Sequence, residues 1–138
     1  MRGPVVEGTE HPESCFGCSP GAAGGLGFAW QLDGDRLEAT HAFSERFEGP
    51  RGIAHGGAVA ALLDEACSQV ARAFLSPVIV TSRLEVRYLA PVPVGQELRV
   101  TAASVDVATR RVSCEATIQD ESGLLLAHAR VECVQARP

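Results

Sequence analysis

The sequence predicts an α+β domain in which an antiparallel sheet covers one long apolar helix. Three observations carry that expectation. Residues 56–74 repeat apolar side chains at three-to-four spacing, as one face of a helix does. Segments 78–89, 97–107, 110–119 and 124–134 are rich in the Val, Thr and Ile that strands favour. Short turns separate these segments with no helical pattern between them, which favours an antiparallel meander over alternating β–α units.

The chain has 138 residues, 46 % apolar and 21 % charged, which fits one globular domain with a real core. No apolar run reaches the roughly 18 residues of a membrane helix, and no charged-then-apolar leader opens the chain. A cytoplasmic location without membrane contact is therefore expected. A net charge of −5 weighs against a nucleic-acid partner. Every basic residue is Arg, which suits bidentate phosphate contacts.

In chain order, residues 1–25 are rich in Gly and Pro without periodicity and read as an extended arm, leaving 26–138 as the folded domain. Within the arm lies Cys15-Phe16-Gly17-Cys18, with His11 upstream. One C-x-x-C is half of a zinc site and no second pair follows, so no metal is expected. The five cysteines are scattered and odd in number, so free thiols are expected. Residues 26–32 and 36–43 flank Asp33-Gly34-Asp35, a hairpin signal. A polar loop through Gly49-Pro50 leads to the helix, where Val59, Leu62, Leu63, Ala66, Val70 and Phe74 form the apolar stripe. Ser76-Pro77 stops it.

The helix carries two adjacent acids, about 100° apart on its circumference. Glu65 shares its line with Gln69 and Arg72, a pattern expected of a solvated stripe. Asp64 shares its line with Gly57, Ala60, Ala61, Ser68 and Ala71, all small, so another backbone or a ligand can approach it. Its bland alternative is an ion pair with Arg83 or Arg87. At the start of the helix, His55-Gly56-Gly57 leaves unpaired backbone N–H groups free of side chains, a donor site for a carbonyl oxygen that becomes negative during reaction. Asp64 lies about 12 Å further along the same helix, too far to serve the same reacting atom. The two therefore imply a site shared between two copies of the chain.

The stretch Gly52-Ile53-Ala54-His55-Gly56-Gly57-Ala58-Val59-Ala60-Ala61-Leu62-Leu63-Asp64-Glu65-Ala66 resembles the helix signature of hotdog-fold acyl-CoA thioesterases of the phenylacetate-degradation type. Residues 80–91 and the Cys-Phe-Gly-Cys arm are similar to segments of the same family, so the resemblance covers most of residues 15–95. It implies a curved antiparallel sheet wrapped around a central helix, a homodimer that can pair into a tetramer, and hydrolysis of acyl-CoA thioesters without metal or cofactor. By position, Asp64 matches the acid that activates water or attacks the carbonyl. Gly56 matches the backbone donor to the thioester oxygen, with His55 beside it, and Thr81 matches a hydroxyl that helps hold the water. Gly57 and Ser68 are substrate-binding candidates, Ser68 by likeness to a more distant branch. Some members carry Asn six residues before the His; here Gly49 stands there. Two other activities suit the same fold, a non-catalytic acyl-CoA-binding module and an enoyl-CoA hydratase or dehydratase. Arg51, Arg87, Arg110 and Arg111 are candidates for CoA phosphates.

Overall fold

A computed structural model describes residues 15–17, 24–75 and 78–136. The strands are β1 (Gln31–Asp33), β2 (Arg36–His41), β3 (Ile79–Tyr88), β4 (Leu98–Val107), β5 (Arg111–Gln119) and β6 (Leu125–Gln135). One helix, α1 (Gly56–Ala71), lies between β2 and β3, and a single 3-10 turn spans Glu45–Phe47. Gly34, at φ +62°, makes the tight turn from β1 to β2, where a side chain would be strained.

All pairings are antiparallel, in the order β1-β2-β4-β5-β6-β3. The expected meander therefore needs a correction. β3 does not pair with β4; residues 89–97 carry the chain across the sheet, so β4 pairs with β2 and β3 pairs with β6. The prolines Pro91 and Pro93 explain this: they cannot form a two-residue hairpin turn, and the crossing is pinned by an isolated bridge between Ile53 and Pro93. The consequence matters for function. β3, ten residues long, is an edge strand.

The helix forms where the apolar period predicts it. Val59, Leu62, Leu63, Ala66, Cys67 and Val70 are buried against the sheet, joined by Phe28, Phe43, Leu98, Val100, Val112, Ile118 and Val131. Opposite them the sheet presents Ala102, Ala116, Ala127 and Ala129, whose small side chains let the helix sit close. The regular helix ends at Ala71, so Phe74 lies beyond it and is 43 % exposed. The Ser76-Pro77 stop lies outside the described residues. An antiparallel sheet curved around one helix is the hotdog arrangement that the sequence resemblance implies. No helix among the described residues is long and apolar enough to cross a membrane.

Candidate active site

Asp64 points from the middle of α1 toward β3. Thr81 Oγ1 donates a hydrogen bond to Asp64 Oδ1 at 2.6 Å. The bland alternative, an ion pair with Arg83 or Arg87, is not formed; Arg83 instead bonds Glu85 on its own strand. Burial pushes the Asp64 carboxyl above its ordinary range, and the Thr81 hydroxyl pulls partly the other way. Gly57 on the same line is exposed, and Ala60, Ala61 and Ser68 are half-buried. The small face is thus only partly covered by the chain's own sheet.

A β-bulge brings Thr81 to this acid. In the β3–β6 ladder Thr81 opposes Cys133, but the register shifts before Arg83, so that Leu84, Val86 and Tyr88 oppose Val131, Ala129 and Ala127. Directly opposed residues project to the same face. Since those β6 partners are buried beneath the helix, Thr81, Leu84, Val86 and Tyr88 all face α1. Without the extra residue, Thr81 and Tyr88 would lie on opposite faces.

The helix start is built differently from expectation at one position. His55 is the N-cap, and its Nδ1 accepts the Gly57 N–H at 2.9 Å. Gly57 therefore does not offer a free donor as the sequence reading supposes. Gly56 N–H makes no hydrogen bond among the described residues, which leaves it as the open donor. Tyr88, which sequence reasoning missed, donates its hydroxyl to the Gly56 carbonyl at 2.6 Å. Only the crossover and the bulge place Tyr88 there. At Gly49, a Cβ would come within 3.1 Å of His55 Cα, so a side chain there would make a tight contact with the His55 backbone.

Ser68, one turn beyond Asp64, shares a hydrogen bond with the Cys133 thiol. Burial pushes Cys133 up to about 11, and Cys67 is raised much further by its hydrogen bond with Cys114 and by burial. Such thiols stay protonated and act as packing groups rather than nucleophiles. Cys15 is not free, contrary to expectation: it is disulfide-bonded, whereas Cys67, Cys114 and Cys133 are free. His11 and Cys18, the other members of the metal candidate, lie outside the described residues.

Glu65 also departs from the sequence reading. It is half-buried, its Oε1 accepts from Gln69 Nε2 at 2.7 Å, and Gln69 itself is buried. The backbone at Gly17 packs directly on the Glu65 carboxylate, so a side chain there would have to displace it. The stripe is therefore covered by the arm rather than solvated. Burial raises the Glu65 carboxyl, Gln69 lowers it, Asp64 raises it and Arg72 lowers it.

Sequence and structure comparisons agree with this frame. The Thioesterase superfamily profile matches residues 51–127, more than half of the chain, from the loop before His55 through most of the sheet. AziG of S. sahachiroi superposes with a TM-score of 0.75 at 26 % identity, over 82 % of this chain and 94 % of that one. The E. coli PaaI protein, from the phenylacetic acid degradation operon, gives 0.74 at 18 % identity, over 81 % of each chain. Protein smu.793 of Streptococcus mutans UA159, bound to acetyl CoA, gives 0.73 at 18 % identity, over 79 % of this chain and 88 % of that one. No curated protein matches the chain.

Proposed function

This chain belongs to the Thioesterase superfamily, and from that premise we propose that it hydrolyses acyl-CoA thioesters, using Asp64 as general base in a site shared by two copies. The observation that carries the reading is the Thr81–Asp64 hydrogen bond on a helix face lined by small residues. One carboxylate oxygen is held by the hydroxyl, which leaves the other for a water molecule. A carboxyl raised by burial is better matched to taking a proton near neutrality than an ordinary aspartate. The thioester carbonyl oxygen would accept from Gly56 N–H, where the helix dipole also favours negative charge. Water adds to the carbonyl carbon as Asp64 takes its proton. The tetrahedral intermediate then expels CoA sulfur, which receives that proton. Acetyl CoA bound to the Streptococcus mutans neighbour supports an acyl-CoA as substrate class.

Edge strand β3 supports the shared site. Thr81 contacts Asp64 near one end of β3, and Tyr88 contacts Gly56 at the other. The seven steps from Thr81 to Tyr88 span at most about 23 Å of extended chain. Antiparallel pairing of β3 with a second copy, centred at Glu85 once the bulge is counted, sets Thr81 level with the second copy's Tyr88. Asp64 of one copy then meets the Gly56 donor of the other. The edge carries exposed Val80, Leu84 and Tyr88, and an open edge of this length calls for a cover.

The test is release of CoA from aryl- and fatty acyl-CoAs, followed with a thiol reagent. Release that falls by at least about 100-fold in Asp64→Ala supports the reading; no release from any substrate, or undiminished release from the variant, refutes it.

A further inference from the structure

We propose that Tyr88 is a positioning residue that fixes the His55 imidazole through the peptide joining Gly56 and Gly57. The carbonyl and N–H of that planar unit point in opposite directions. Tyr88 donates to its oxygen at 2.6 Å, and its N–H donates to His55 Nδ1 at 2.9 Å. Donating to the carbonyl of an amide polarises its N–H, so the two bonds strengthen each other.

The chemical consequence lies on the far side of the ring. With Nδ1 accepting, a neutral imidazole carries its proton on Nε2. His55 is exposed at the start of the helix, which leaves Nε2–H open as a second donor in addition to the Gly56 backbone N–H. Tyr88 thereby reinforces the tautomer that carries the proton on Nε2, without touching the ring. Two features separate this from ordinary packing. Within one copy Tyr88 is 52 % exposed, so its ring contributes little to that copy's own core. A Cβ at position 57 would stand 3.1 Å from Nδ1 and 3.3 Å from Cε1, a tight contact that would push the ring by a few tenths of an ångström from its place against the backbone.

The role rests on the thioesterase reading, but its test does not. Long-range 1H–15N spectra of ligand-free protein report the His55 tautomer, with His55→Ala assigning the signal. Wild-type protein shows the Nε2–H form; Tyr88→Phe shifts it toward a mixture. In turnover, Tyr88→Phe lowers kcat about five-fold, the scale of one net hydrogen bond, while KM changes less than about two-fold. In a His55→Ala background the same change has no further effect. Gly57→Ala, which displaces the ring without altering Tyr88, also perturbs the tautomer. An unchanged tautomer in Tyr88→Phe, or an equal loss of kcat with and without His55, overturns the proposal. Absence of wild-type turnover refutes the thioesterase reading and leaves the tautomer measurement decisive for this one.

Discussion

Replacing Thr81 by Val tests the link between the candidate acid and the strand that orients it. The substitution keeps shape and β-branching and removes the hydroxyl that donates to Asp64 Oδ1 at 2.6 Å. That distance is short, as expected of a bond to an ionised carboxylate. Hydrogen bonds to charged groups contribute about 1.5–3 kcal/mol, and exposure of Thr81 halves this to about 0.75–1.5 kcal/mol, or roughly four- to thirteen-fold in rate. The pH profile carries a second signature. Asp64 must be ionised to act as base, so kcat/KM rises with pH through its pKa. Burial already sets that limb above the ordinary value of 3.8, while the Thr81 bond lowers it. Thr81→Val therefore moves the acid limb to higher pH. The assay is CoA release against pH, with thermal melts as the control that the variant is folded at the assay temperature. A rate within about two-fold of wild type with an unmoved limb, or a limb displaced to lower pH, refutes the reasoning.

Two further predictions concern stability. Asp64 is raised on folding, so its protonated form is favoured in the native state. That contribution is fully present below the unfolded value of 3.8 and is lost as pH rises through the folded pKa. Asp64→Asn therefore raises the melting temperature at pH 7 while removing activity, and the gain vanishes at the acid end of a melt series; a lower melting temperature at pH 7 contradicts this. Glu65 is raised for the same main reason, against an ordinary value of 4.5, and Gln keeps an acceptor for Gln69. Glu65→Gln accordingly stabilises the protein at pH 7, with a gain that shrinks toward pH 4, and it leaves kcat near wild type. A gain independent of pH would show that removal of the charge is not its origin.

Much of the fold was legible because its signals are local. The apolar period placed α1 within a few residues, and the β-rich segments between turns located β3 to β6. Sheet order was not legible, because Val, Thr and Ile state that a segment is a strand but not which neighbour it pairs with. The crossover at residues 89–97 follows from prolines whose effect depends on the rest of the chain. Of the two acids, small neighbours on its helical line marked Asp64 as approachable. Helical periodicity misread Glu65, since the turn at Gly17 that covers it comes from a distant part of the sequence. Thr81 owed its candidacy to family resemblance alone, and the bulge that delivers it to Asp64 has no glycine or other punctuation to announce it. Tyr88 carried no motif, and its partner is a backbone carbonyl, which no side-chain pattern records.

The shared site is tested most directly by complementation between two inactive chains. Gly56→Pro removes the open N–H at the first helical position, where Pro is tolerated. His55, at φ −58° and ψ 137°, already has the conformation that precedes a proline. A Cβ at residue 56 meets the Tyr88 ring no closer than 3.6 Å, an ordinary contact. As homodimers, Gly56→Pro and Asp64→Asn are both expected to lose about 100-fold or more in kcat. A purified heterodimer of the two contains one site with both lesions and one with neither, because each site draws its acid and its donor from different copies. The prediction is recovery of about half the wild-type activity. A heterodimer as inactive as its parents would place Asp64 and Gly56 in the same copy's site and contradict the account.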